Sequence, residues 1–205
     1  MLPVKLFFYF NGFNSAILDD FSGNPKIVAV AEFAVERGYC FLPISVCYRQ
    51  AREQAREILA MVDGSAVEVV FCGSSMGGWF ARILQLMLQR ERTEIRTAAV
   101  GFNPAFSLGI YGNMLLGPQR NYVTQEDYEW TADHTRELQA LEADIDYRAK
   151  LPFFVYLDKA DEVIDWELSA ASHAPISRLV CFEGGCHSFD HYREALADFA
   201  AEFIG

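Results

Sequence analysis

Gly73–Ser74–Ser75–Met76–Gly77 is the stretch of this sequence best equipped for chemistry. A serine hydroxyl becomes a nucleophile when it is held exposed beside a base. Gly-x-Ser-x-Gly, set between a strand and a helix, marks the sharp turn that presents it. Glycine two residues to either side removes the Cβ atoms that would collide in so tight a bend. Only Ser75 is in frame, because Ser74 would need glycine at Cys72 and Met76. With 14 glycines and 11 serines in 205 residues, chance yields about 0.05 matches to the bare pattern. Here an apolar, β-branched run over 67–72 precedes it and an amphipathic stretch follows it, which is the required context. The phosphate-binding alternatives, Gly-x-Gly-x-x-Gly and a Gly-Lys-Ser/Thr ending, do not occur. Met76, first residue of the following helix, would aim its N–H at a developing oxyanion.

A serine nucleophile needs a base, and the base needs an acid that fixes its tautomer. In hydrolases built on this turn the chain order is Ser, then Asp or Glu, then His. The histidines are His134, His173, His187 and His191. His187 follows the last strand-like run across Gly184–Gly185, at a strand's C-terminal end, where the base must sit. His191, four residues on, is the second candidate. The acid should follow the preceding strand, where Asp158, Asp161 and Glu162 crowd one loop. Asp161 lies one short turn beyond the strand end and is preferred to Asp158; Asp165 reads as a helix-surface charge. A second oxyanion donor should come from the loop after the first strand, where Phe13 follows the permissive Gly12. Asn11 in the same loop could tie the loop down or contact substrate, and Asn14 and Ser15 could add polar contacts to substrate or cap a turn.

These residues need a scaffold that brings strand ends together. Apolar runs over 4–10, 39–46, 67–72, 97–102, 153–157 and 178–182 read as strands, several apolar throughout, as in a parallel sheet covered on both faces. Helical patterns separate them, at 25–38, 50–62, 76–89 and 192–203, the first opened by Asn24–Pro25. Strand alternating with helix predicts a three-layer α/β/α sandwich with a mostly parallel sheet of about six strands, in one domain over 1–205. Residues 103–150 exceed an ordinary connection. This insertion, with Tyr111, Tyr122, Tyr128 and Trp130 and a helix expected over about 125–141, reads as a cap whose Tyr128 and Trp130 would shape an apolar acyl pocket.

Composition narrows the class. The chain is 52% hydrophobic and 22% charged, with net charge −11. No Lys/Arg cluster exists to neutralise phosphates, which argues against nucleic acid and against anionic membranes. No run approaches a membrane span. Five scattered cysteines without a Cys-x-x-Cys pair read as reduced residues of a cytoplasmic protein, with no zinc site. Residues 2–13 are interrupted by Pro3 and Lys5 and read as a first strand rather than a signal peptide.

The sequence resembles the YqiA-type esterases, small single-domain α/β-hydrolases of bacteria, along most of its length. The matching pieces are Asn11–Gly12–Phe13–Asn14–Ser15, Gly73–Ser74–Ser75–Met76–Gly77–Gly78, Asn103–Pro104–Ala105, and Asn121–Tyr122–Val123–Thr124 with Tyr128. Asp161–Glu162–Val163–Ile164–Asp165 and Glu183–Gly184–Gly185–Cys186–His187–Ser188–Phe189 complete them. The resemblance implies an α/β-hydrolase fold and carboxylic ester hydrolysis with Ser75, Asp161 and His187 as triad, without metal or cofactor. Two departures stand out: Asn11 replaces a histidine and Cys186 an asparagine. The expected substrate is a small or medium acyl ester. A thioesterase or acyltransferase would use the same triad, and an idle interaction protein could keep the same fold. A metallohydrolase using His187, Asp190 and His191 lacks a His-Glu-x-x-His motif.

Overall fold

The computed structural model describes residues 3–204, the side chains of residues 109 and 110 excepted. Six apolar runs become strands β1 (Val4–Phe10), β2 (Cys40–Ile44), β3 (Ala66–Ser74), β4 (Arg96–Phe102), β7 (Phe153–Asp158) and β8 (Arg178–Phe182). They pair in the order β2-β1-β3-β4-β7-β8, every pair parallel. Between them run α1 (Pro25–Glu36), α2 (Ala51–Ala60), α3 (Met76–Glu91) and α6 (Trp166–His173), and α7 (Tyr192–Phe199) follows β8.

Period-two alternation explains why the strands are apolar on both faces. Phe8, Phe10 and Phe71 point to one side and pack with Trp79, Phe80 and Ile83 of α3. Phe7, Tyr9 and Cys72 point to the other and pack with Val30 and Phe33 of α1 and Phe199 of α7. Asn24 caps α1, its side chain accepting from the Ile27 N–H at 3.2 Å, with Pro25 in the first turn.

The chain lays β2 on one side of β1 and β3 on the other. In such a sheet a crevice opens at the strand C-termini where the order reverses. The loops leaving β1 and β3 both emerge there, and they hold Asn11–Ser15 and Ser75 respectively.

Within residues 103–150 the helix expected over about 125–141 starts later, at Ala132. The segment forms α4 (Leu108–Tyr111), an antiparallel hairpin of β5 (Gly117–Arg120) and β6 (Asp127–Trp130), and α5 (Ala132–Ala143). Residues 127–130 are strand because they pair with β5. The helix cannot extend back through them, since Thr131 and His134 form a reciprocal capping box that fixes its start. Leu138 and Leu141 of α5 pack into the same core as α2 and α3.

Candidate active site

Ser75 stands between β3 and α3 with φ 54° and ψ −125°, a left-handed backbone that L-residues rarely adopt. The turn is held in place rather than relaxed. Ser75 N–H donates to the Phe102 carbonyl at 3.0 Å, and its own carbonyl accepts from Gly78 and Ala105 N–H, each at 3.0 Å. A Cβ on Gly73 would come within 3.0 Å of Gly77 backbone, and one on Gly77 within 3.0 Å of the Phe10 carbonyl. Both glycines are therefore demanded by close backbone approach. Ser75 occupies the N-cap position of α3, yet its side chain makes no capping bond. Ser74 is different: it is buried, and its Oγ lies 3.0 Å from the Tyr9 hydroxyl.

The loop after β1 runs alongside. A Cβ built on Gly12 would sit 3.7 Å from Ser75 Oγ. Asn11, expected among the substrate contacts, is 5% exposed and engaged inside the protein. Its Nδ2 donates to the Ser15 and Gly12 carbonyls at 2.7 and 2.9 Å, and its Oδ1 accepts from Val46 N–H at 2.7 Å. Asn11 thus shapes the loop and ties it to the end of β2. Asn14 joins the loop to the hairpin: its Nδ2 donates to Gln119 Oε1 at 2.8 Å and its Oδ1 accepts from the Tyr128 hydroxyl at 2.5 Å. Trp130 is 1% exposed, donates to Thr135 Oγ1 at 3.0 Å, and meets Phe13 edge to face at 5.2 Å. A cavity of about 220 Å³ lies here, with Phe13, Tyr128 and Trp130 in its walls together with Cys47, Tyr48 and Arg49.

His187 and Asp161 meet. His187 Nδ1 is 2.9 Å from both carboxylate oxygens of Asp161, a side chain only 2% exposed. Asp161 Oδ1 also accepts from the N–H groups of Val163 and Ile164 at 2.8 and 2.9 Å. The His187 N–H donates to Glu162 Oε2 at 2.9 Å, a bond that holds the Glu162 carboxyl below its ordinary pKa. The sequence candidates Asp158 and His191 form a second pair, with His191 Nδ1 2.6 Å from Asp158 Oδ1. Its placement differs. The His191 imidazole stacks on Phe182 of the edge strand β8 at 4.8 Å. The His187 carbonyl lies 3.4 Å from Asn103 Nδ2, directly after Phe102, the residue that accepts the Ser75 N–H. The His187 backbone is thus tied to the end of β4, the strand beside the one that leads into Ser75, and the His191 ring rests on the edge strand β8.

Sequence reasoning passed over Asp158 and Asn103 as structural parts of this site. Asp158 is fully buried and its Oδ2 accepts from Asp190 N–H at 2.7 Å and Cys186 N–H at 3.3 Å. Asn103, 1% exposed with φ 42°, accepts from Asp158 N–H at 2.8 Å and donates to the Cys186 carbonyl at 2.9 Å. The Asn103–Pro104 dipeptide directly after a strand-like run was the available signal. Of the remaining candidates, Asp165 caps α6 through Glu167 and Leu168 N–H, and His173 is buried. Among the described residues no group of three or more His, Cys, Asp or Glu is placed to hold a metal, and no helix is long and apolar enough to cross a membrane. All five cysteines are free thiols.

A family model matches residues 7–203, nearly the whole chain, and covers every residue of the site. The chain belongs to the uncharacterised protein family UPF0227. No curated protein sequence matches it. Solved structures share its fold. Est1E from Butyrivibrio proteoclasticus superposes with a TM-score of 0.72 at 21% identity, covering 100% of this chain and 90% of Est1E. The alpha/beta hydrolase domain-containing protein 10 from mouse gives 0.66 at 17% identity, over 97% of this chain and 88% of its own. The esterase domain of a Rhodothermus marinus protein gives 0.62 at 16%, over 100% and 86%. The fold is that of the α/β-hydrolases, a parallel six-stranded sheet flanked by helices.

Proposed function

We propose that this member of UPF0227 is a serine hydrolase of small or medium carboxylic esters. The observation that carries the reading is the strained, uncapped Ser75 at the end of β3, with the Asp161–His187 pair on the loops after β7 and β8. Ser75 Oγ attacks the ester carbonyl while His187 Nε2 takes its proton. Asp161, bonded to Nδ1, keeps the imidazole in the tautomer whose Nε2 lone pair faces the serine and stabilises the imidazolium that forms. Backbone N–H groups of Met76, in the first turn of α3 where helix donors lack internal partners, and Phe13, beside Gly12, receive the oxyanion. His187 returns the proton to the leaving alcohol, then activates the water that hydrolyses the acyl-enzyme. No step needs a metal or cofactor.

Residues 103–150 act as a cap in this reading, placing Tyr128 and Trp130 against Phe13 around the 220 Å³ cavity that receives an apolar part of the substrate. Est1E has been solved with ferulic acid bound, so a feruloyl ester belongs in the substrate series with p-nitrophenyl and coenzyme A esters. The free cysteines and the acidic charge fit a cytoplasmic enzyme acting on small molecules. The test is a fluorophosphonate probe with the acyl series. Wild type should be labelled at Ser75 and hydrolyse at least one ester, and Ser75→Ala should do neither. An unlabelled wild type, or Ser75→Ala retaining more than about a tenth of the rate, would overturn the reading.

A further inference from the structure

The second Asp–His pair raises the question of what a fully buried carboxylate does one turn from the acid. Asp158 ends β7, and its oxygens are occupied by Cys186 N–H, Asp190 N–H and His191 Nδ1. Those donors bracket His187: one residue before it, three after and four after. Gly185, at φ +76°, crosses the carboxyl so closely that any Cβ there would overlap it. The loop is thus wrapped around Asp158, whose buried oxygens depend on these donors for their hydrogen bonds.

Three further contacts extend the anchor. Asn103 bridges the Asp158 N–H and the Cys186 carbonyl. Phe189, at φ 67° and 1% exposed, stacks on Phe102 with ring centroids 4.9 Å apart. Lys26 of α1 donates to the Ser188 carbonyl at 2.5 Å. Because Phe102 also accepts the Ser75 N–H, one continuous set of bonds runs from the serine through residues 102–103 and Asp158 to the loop that holds His187. The Asp161 contact sets the tautomer and direction of the imidazole, and the Glu162 bond holds the His187 N–H to the loop after β7. Both partners lie on that loop, whereas the Asp158 set runs on to residues 102–103 at the end of β4.

We propose that Asp158 and His191 are positioning residues, a second Asp–His pair that performs no proton transfer and sets the distance between His187 and Ser75. The proposal rests on the serine-hydrolase reading and deepens it. Freeing the loop moves His187 while leaving the substrate cavity intact, so the loss falls on kcat and not on KM. A misplacement of about 1 Å costs on the order of a hundredfold. The pair also explains why Asp158 is the worse candidate for the acid: its oxygens are already filled by the loop it supports.

The experiment uses the full chain and the best substrate of the series. Asp158→Asn should lower kcat by about a hundredfold with KM within about twofold, while fluorophosphonate still labels Ser75, more slowly. His191→Leu, which removes the donor from a less buried position, should lower kcat by about tenfold. His191→Asn, which returns an N–H close to the place of Nδ1, should recover to within about threefold of wild type. The His191 variants keep the test decisive if Asp158→Asn does not fold. Both Asp158→Asn and His191→Leu staying within about threefold of wild type would overturn the proposal. So would a raised KM at constant kcat, or His191→Asn as impaired as His191→Leu. Collapse of Asp158→Asn by about 10⁴-fold with Asp161→Asn near wild type would also overturn it, by making Asp158 the acid itself. A wild type that fluorophosphonate does not label would instead remove the hydrolase reading beneath it.

Discussion

Replacing Asp161 by asparagine tests the acid assignment, and the structure fixes how the new amide must turn. Asp161 Oδ1 accepts from Val163 and Ile164 N–H at 2.8 and 2.9 Å. In Asp161→Asn the carbonyl oxygen keeps those two donors, because the amide NH2 placed there would face two N–H groups and leave them unpaired at a cost of about 1–3 kcal/mol each. The NH2 therefore takes the place of Oδ2 and sets a donor 2.9 Å from His187 Nδ1, while the oxygen retained at Oδ1, also 2.9 Å away, is already shared by two N–H groups. The imidazole responds by carrying its proton on Nε2, so the lone pair that should take the Ser75 proton is gone. Template triads lose about 10⁴-fold in kcat through this wrong tautomer, equivalent to about 5 kcal/mol of transition-state stabilisation. Both turn bonds survive, so the melting temperature should stay within a few degrees of wild type. The assay is p-nitrophenyl ester hydrolysis across pH 6–9 beside a thermal melt. A variant that keeps its fold and more than a tenth of the wild-type kcat would refute the tautomer argument.

Gly185→Ala puts a side chain at φ +76° on top of the Asp158 carboxyl. It should destabilise the protein by about 2 kcal/mol or more and lower the melting temperature by about 5 °C or more, checked by calorimetry. Burial pushes the His173 pKa down to about 4 from the ordinary 6.5. Between these values the unfolded chain holds a proton that the folded one refuses, so stability falls as pH drops from 6.5 to 4, by about 3 kcal/mol in full. Urea unfolding at pH 7 and pH 4.5 should show part of this loss in wild type and less of it in His173→Gln. Removing the ring in Tyr128→Ala strips a wall of the 220 Å³ cavity and the Asn14 bond. It should raise KM and shift the preferred acyl length; an unchanged chain-length profile with a lower melting temperature would assign residues 103–150 a structural role only.

The parts of this protein that depend on neighbours in sequence were legible without coordinates. The elbow at Gly73–Gly77 is written in five consecutive residues because steric demand there is local: each glycine answers a backbone atom a few residues away or on the adjoining strand. The strands could be read because both faces of a parallel sheet are covered, so runs such as Val67–Glu68–Val69–Val70–Phe71–Cys72 are apolar almost without interruption. Chain order and loop position singled out Asp161 and His187, which the fold brings to 2.9 Å across 26 residues. What the sequence could not decide is how polar groups share partners across distance. Asn11 reads equally as a loop tie or a substrate contact until its side-chain oxygen is found accepting from Val46 N–H, 35 residues away. Residues 127–130 look helical until β5 offers them a ladder. Asp158 and His191 were an alternative acid and base by spacing alone. Only the packed structure shows the His191 ring on Phe182 and the Asp158 oxygens filled by the loop of His187. A buried polar group takes whichever donor or acceptor the tertiary fold delivers, and side-chain type and spacing carry no record of that choice.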